Sequence, residues 1–258
     1  MNYNTPTTGN KDTQTMYFGN YSVTVGNVKG GIDETSYVGG IWNTKRCVFN
    51  ATNQDKTSNK VENKFDAGYC APACCCERYS TLGTNPGDWY LPMPGELYQI
   101  YANKVAINEK RTALVGSGFS ESYSYWSSRE YSSYREYCVY LNGGTIYGYG
   151  KSSGLSYVLG FLAVEVQSFN ISTFNIPSVN MAPVKLDASS SKKKPAVADI
   201  LYSTADGKLT LDAQTNSVNN TPIAICVIPE VMENFKNGDN SAGAVKTARF
   251  VSLNYMNP

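Results

Sequence analysis

The residues able to do covalent or metal chemistry are few. Seven cysteines stand at 47, 70, 74, 75, 76, 138 and 226, and the 258-residue chain has no histidine. Cys70, Cys74, Cys75 and Cys76 crowd into CAPACCC, where adjacent side chains diverge, whereas zinc usually takes ligands from two separated knuckles. Reduced thiols packed as small hydrophobes are the expected state, with no metal and no cofactor. Without histidine, the commonest general base is missing. Among carboxylates, Glu96 is placed to serve the start of a helix, while Glu130 and Glu136 are expected in solvent, paired with Arg129 and Arg135. No catalytic residue is expected.

What the chain does concentrate is noncovalent contact chemistry. Residues 122–157, SYSYWSSREYSSYREYCVYLNGGTIYGYGKSSGLSY, hold nine of the twenty tyrosines together with clustered serines and glycines. A core would favour Leu, Ile and Val, because a buried hydroxyl needs a partner, and a disordered segment would avoid aromatics. Binding loops have this composition, since Tyr offers a large amphipathic surface at low entropy cost and Ser and Gly permit close approach.

The elements that must carry this window follow from periodicity. In WYLPMPGELYQIYANK, Pro94 and Gly95 open a run with Leu97, Ile100 and Tyr101 at helical spacing, and a second helix is expected near 105–114. In CVYLNGGTIYGYG the period becomes two and Asn142-Gly143-Gly144 supplies a turn, which predicts a hairpin. With Val139, Leu141 and Ile146 inward, Thr145, Tyr147 and Tyr149 face outward. Residues 157–166 read as a strand buried on both faces, and the first 60 residues as short strands, among them YSVTV and VGGIW, with long loops.

Three units are expected: a ligand-binding domain over 1–167, an extended connector with a Ser/Lys linker over 168–195, and a small β module over 196–258. NYNTP at 2–6 and NYMNP at 254–258 share a spacing that a repeating array would produce, as would chance. A net charge of +1 without a basic stripe argues against nucleic acid. No apolar run reaches the about 18 residues of a membrane helix, so no membrane insertion is expected, and the amino terminus lacks an apolar leader.

Three stretches in order, ACCCERYSTLGTNPGDWYLPMPGELYQIYANKVAIN, YWSSREYSS and EYCVYLNGGTIYGYGKSSGLSYVLGFLAV, resemble C-type-lectin-like domains of the formylglycine-generating-enzyme type. The resemblance is greatest to variable proteins of diversity-generating retroelements and their relatives in gut Bacteroidales and their phages. It implies an α+β fold with short helices and twisted antiparallel strands. It also implies a scaffold of Trp89, Leu97, Trp126, Val139, Leu141 and Ile146, with Ser127 and Ser128 on the Trp126 strand and Tyr137 among the buried strand positions. Exposed ligand-binding positions correspond to Tyr123, Tyr134, Arg135, Tyr147, Tyr149, Ser152, Ser153, Leu155 and Tyr157. The family's last strand commonly carries Arg where this chain has Leu159. No Glu-Pro-Asn calcium motif is present, and the paired-cysteine site of the enzyme branch is not reproduced.

The expected function is therefore attachment. A tail-fibre module on a virion would display the Tyr/Ser/Gly face to a glycan or protein receptor on a bacterial surface, with Arg135 and Lys151 adding directional hydrogen bonds. The alternatives are a bacterial surface adhesin of the same fold, or a fibre protein whose tyrosines pack against sister chains in a homotrimer.

Overall fold

The computed structural model describes residues 15–16, 18, 35–53, 71–151, 156–165, 183–192, 194–235 and 237–256. In chain order these form β1 (Thr15–Met16), α1 (Gly40–Asn53), α2 (Ala71–Arg78), β2 (Trp89–Tyr90), α3 (Pro94–Ala102) and α4 (Lys104–Val115). Then come β3 (Ser124–Ser132), β4 (Arg135–Tyr140), β5 (Thr145–Gly150), β6 (Ser156–Tyr157), β7 (Phe161–Glu165) and β8 (Val184–Lys185). The remainder is β9 (Ile200–Ser203), β10 (Leu209–Thr210), β11 (Gln214–Thr215), β12 (Val218–Asn219), β13 (Thr221–Glu233) and β14 (Val245–Ser252). The fold is mixed α+β, with few helices and mostly antiparallel strands.

Local chemistry accounts for the helix pair. Pro94 takes the first position of α3, where no N–H is needed, and the Glu96 carboxylate accepts the Met93 N–H at 2.8 Å. α4 ends at Gly116, whose φ of 83° permits the left-handed cap that donates to the Thr112 carbonyl. Leu97, Ile100 and Ile107 present their apolar faces to one core.

Two larger sheets and the separate β11–β12 hairpin organise the strands. A five-stranded sheet runs β1-β6-β3-β4-β5, and a larger one runs β10-β9-β13-β14-β7-β2 with β8 beside β7. The strands sit between two cores. Successive residues of β7 alternate between them, Phe161 and Ala163 with the α3 and α4 side, Leu162 and Val164 with the cysteines of α2. Every residue of β7 is buried, which is why this run contains no polar alternation.

Four expectations are corrected. The VGGIW stretch does not form a strand: Gly40 onward is helical, and Ile41 packs with the α3 core. The 157–166 run is not one strand, because Ser156–Tyr157 joins the five-stranded sheet and the chain crosses to the larger sheet at Phe161. The terminal strands β9, β10, β13 and β14, expected as part of a small β module over 196–258, are built into the larger sheet. β14 pairs with β7 over Thr247↔Glu165 to Val251↔Phe161, so residues of 1–167 and of 196–258 share one sheet and both cores. Part of the expected connector is docked as well, through Val184↔Val164, and Lys192 and Lys194 pair with Asp199 and Glu230. The stretches 2–6, 21–25 and 168–182, and Cys70, lie outside the described residues.

Candidate binding surface

The hairpins of the five-stranded sheet decide where the tyrosines point. β3 and β4 are joined by Ser133 and Tyr134, with Ser132 opposite Arg135. β4 and β5 pair from Tyr140↔Thr145 to Arg135↔Gly150. Arg135, Gly150 and the Tyr134 turn therefore meet at one end, where the Lys151 N–H donates to the Tyr134 carbonyl at 3.1 Å. The other end, at 141–144, lies against α3, with Gly144 under the Tyr98 and Tyr101 rings.

Because side chains alternate, the two faces differ. On one face Trp126, Cys138 and Tyr147 are cross-strand neighbours, followed by Glu136 opposite Tyr149. Tyr147 and Tyr149 are half-buried at the rim of the α2-side core, with Tyr149 5.9 Å from Trp126 and 5.8 Å from Tyr147, centroid to centroid. Burial pushes the Tyr147 hydroxyl up in pKa, and a hydrogen bond with Ser124 works the other way. On the opposite face Tyr125, Val139 and Ile146 pack under α3, and beyond them come Tyr137, Tyr131 and Arg129. Tyr131 rests on Gly148, where a Cβ would sit 2.7 Å from the ring. Its ring meets Tyr137 edge to face at 5.0 Å and 76°, and the Arg129 guanidinium lies 5.9 Å from the Tyr137 centroid.

Beneath this end lies a charge cluster. Lys151 is fully buried, ion-paired with Glu130, and 3.9 Å from Glu136. The expectation that Glu130 and Glu136 are solvated beside Arg129 and Arg135 is thus overturned, as is a contact role for Lys151. The pleat turns all three inward, to the side opposite Arg129.

The sequence-derived set is only partly brought together. Tyr134 and Arg135 are exposed at the β3–β4 turn, and Tyr147 and Tyr149 are half-buried on β5. Tyr123 is half-buried at the opposite end of β3, edge-on to Tyr157 at 5.7 Å. Tyr157 is not an exposed position: it is 4% accessible and stacks on Tyr255 at 4.6 Å and 21°. Its pairing with β1 and β3 turns it into the α3-side core. Ser152, Ser153 and Leu155 lie outside the described residues. Of the scaffold set, Trp89, Leu97, Trp126, Val139 and Leu141 are buried, and Ile146 is half-buried against the α3-side core. Tyr137, grouped with the buried positions, is only half-buried, under the exposed Tyr131 ring. Tyr131 was missed. The signal was a glycine flanked by tyrosines on an edge strand, which leaves room for a neighbouring ring.

Five of the described thiols are held in the protonated form. Burial pushes Cys74 and Cys75 up to about 12 and Cys76, Cys138 and Cys226 well above the ordinary thiol range, so each stays protonated. Among the described residues no group of three or more Cys, Asp or Glu is placed to hold a metal ion, and no helix is long and apolar enough to cross a membrane. No family model, curated protein or solved structure matches the chain.

Proposed function

We propose that the chain is a receptor-binding module with a C-type-lectin-like arrangement, carried on a phage tail fibre and contacting the surface of a gut bacterium through the open end of the five-stranded sheet. The observation that carries this reading is the pre-positioned aromatic group at that end. Tyr131 and Tyr134 are 52% and 47% exposed, yet Tyr131 is fixed against Gly148 and Tyr137. An exposed ring already held in one orientation loses little entropy on binding, so its buried area is kept as affinity. Arg129 and Arg135 add planar donors beside the rings, suited to sugar hydroxyls or carboxylates. The buried Lys151–Glu130 pair stiffens the strand ends that present them. Single contacts of this kind are weak, and several copies on one fibre raise avidity about a hundredfold or more.

Adsorption of the labelled chain to a panel of gut bacteria tests the reading. Replacing Tyr131 and Tyr134 with Ala should abolish adsorption while unfolding stability changes by less than about 1 kcal/mol. Unchanged adsorption by that variant would remove the assignment.

A further inference from the structure

Two adjoining clefts open along the β10 edge of the larger sheet, and none of their lining residues belongs to the five-stranded sheet. The larger, about 570 Å³, lies between the β9–β10 turn and the β11–β12 hairpin. The smaller, about 390 Å³, continues it past the shared Asp187 and Lys208 toward Asn85 and Asp88. Both volumes fall within the range of ligand sites.

The lining of the larger cleft is almost entirely hydrogen-bonding. Ala205 and Val218 are its only apolar side chains, and the rest carry hydroxyl, amide, carboxylate or ammonium groups. Such a wall offers little to an apolar molecule and much to a polyhydroxylated one, whose hydroxyls both donate and accept. Charge narrows the choice: Asp187, Asp206 and Asp212 outnumber Lys208, so an anionic ligand meets net repulsion. Hydrogen bonds from Ser189, Thr204 and Ser191 hold these three carboxyls below their usual range. Lys208 Nζ, 3.0 Å from Asp206 and 3.5 Å from Asp187, offsets one of the three charges, and the remainder favours a ligand with ammonium groups spread along it over an anionic one.

The walls are fixed without a ligand. Asn220 is buried and donates to the Asp212 carbonyl and to Thr215 Oγ1, both at 2.8 Å, which ties the hairpin to the floor. The Lys208 N–H donates to Thr204 Oγ1 at 2.9 Å and closes the opposite turn. The two clefts share Asp187 and Lys208 and so run on from one another, which suits a chain of linked units.

We propose that this groove binds an oligosaccharide whose units bear amino rather than carboxylate substituents, as a recognition site separate from the tyrosine surface. Titration calorimetry of the whole chain with a glucosamine tetramer, cellotetraose and a galacturonate tetramer tests it. The glucosamine tetramer should bind saturably, cellotetraose about tenfold more weakly, and the galacturonate tetramer not at all. Ala205→Trp, at an exposed lining position, should weaken glucosamine binding about tenfold or more. Asp206→Asn should reduce the preference over cellotetraose, whereas Tyr134→Ala should leave binding unchanged, so this site and the tyrosine surface fail independently. The proposal is overturned by no saturation at about 10 mM of the glucosamine tetramer, by equal affinity for the galacturonate tetramer, or by binding that survives both groove variants. Saturable calcium binding that Asp206→Asn abolishes would also overturn it, assigning a cation site instead.

Discussion

Among the described residues, two buried clusters each place one cation between two glutamates, and they do different work. Around Arg249, the guanidinium pairs with Glu233, lies 3.0 Å from Glu96 Oε1, and donates to Thr247 Oγ1 at 2.8 Å. Glu233 in turn accepts the Gly39 N–H at 2.9 Å, and Glu96 accepts Tyr90 Oη–H at 2.6 Å. These contacts join β2, α3, β13, β14 and Gly39, the residue before α1, all far apart in the chain. Around Lys151, the partners are Glu130 and Glu136, and all three lie within one pair of hairpins. A planar fork with five donors can organise several distant acceptors, while an ammonium acts as a point charge on its neighbours. The first cluster ties the larger sheet to α3 and to the turn before α1, and the second stiffens one end of the five-stranded sheet.

The largest expected effect breaks the first cluster. Arg249→Met leaves two carboxylates buried without their cation and should cost about 3–5 kcal/mol of global stability in urea unfolding. A loss under about 1 kcal/mol would mean that the cluster is not a joint.

Next comes its pH dependence. Burial raises the Glu96 carboxyl to about 7, against the attraction of Arg249 and hydrogen bonds from Tyr90 and Met93. A raised folded-state pKa means that the folded protein holds a proton which the unfolded chain has released. The contribution is therefore full below the ordinary carboxylate pKa of 4.5 and is lost as pH rises through about 7. Wild-type stability measured relative to Glu96→Gln should fall between these limits by up to about 3 kcal/mol. A difference that does not vary with pH would place Glu96 as an ordinary ionised carboxylate.

Lys151→Met should cost less, about 2–3 kcal/mol, since the affected strand ends can open locally. Hydrogen exchange should accelerate at 130–136 and 149–151 while the β13–β14 amides stay protected. Uniform acceleration across both sheets would erase the distinction between joint and stiffener. Smallest of all is Tyr134→Ala, with a stability change under about 0.5 kcal/mol, while the buried Tyr157→Ala from the same window should cost about 3 kcal/mol.

The helix at Pro94 and the hairpin around Asn142-Gly143-Gly144 were legible because both signals are local, a cap residue and a period of two. α1 was not, since VGGIW read over five residues looks strand-like and its helical partners, Thr44 and Val48, lie beyond that window. Tyr157 and Lys151 were misplaced for a nonlocal reason. Tyr157 is covered by Tyr255, and Lys151 is neutralised by Glu130 and Glu136, none of which is its neighbour in sequence. The membership of β14 in the sheet of β7 could not be read either, because pairing across about 80 residues leaves no periodic trace. For the tyrosine surface, composition located the window, but only register separated rings that face solvent from rings that fill the core.

The position of β14 between β7 and β13 sets the timing of folding during synthesis. Until residues 245–252 leave the ribosome, one edge of β7 has no partner, and every side chain of that strand is one the finished fold keeps from water. The nascent chain must carry a sticky strand through about 80 residues of further synthesis, and a message truncated before codon 245 should yield aggregate rather than a smaller soluble domain.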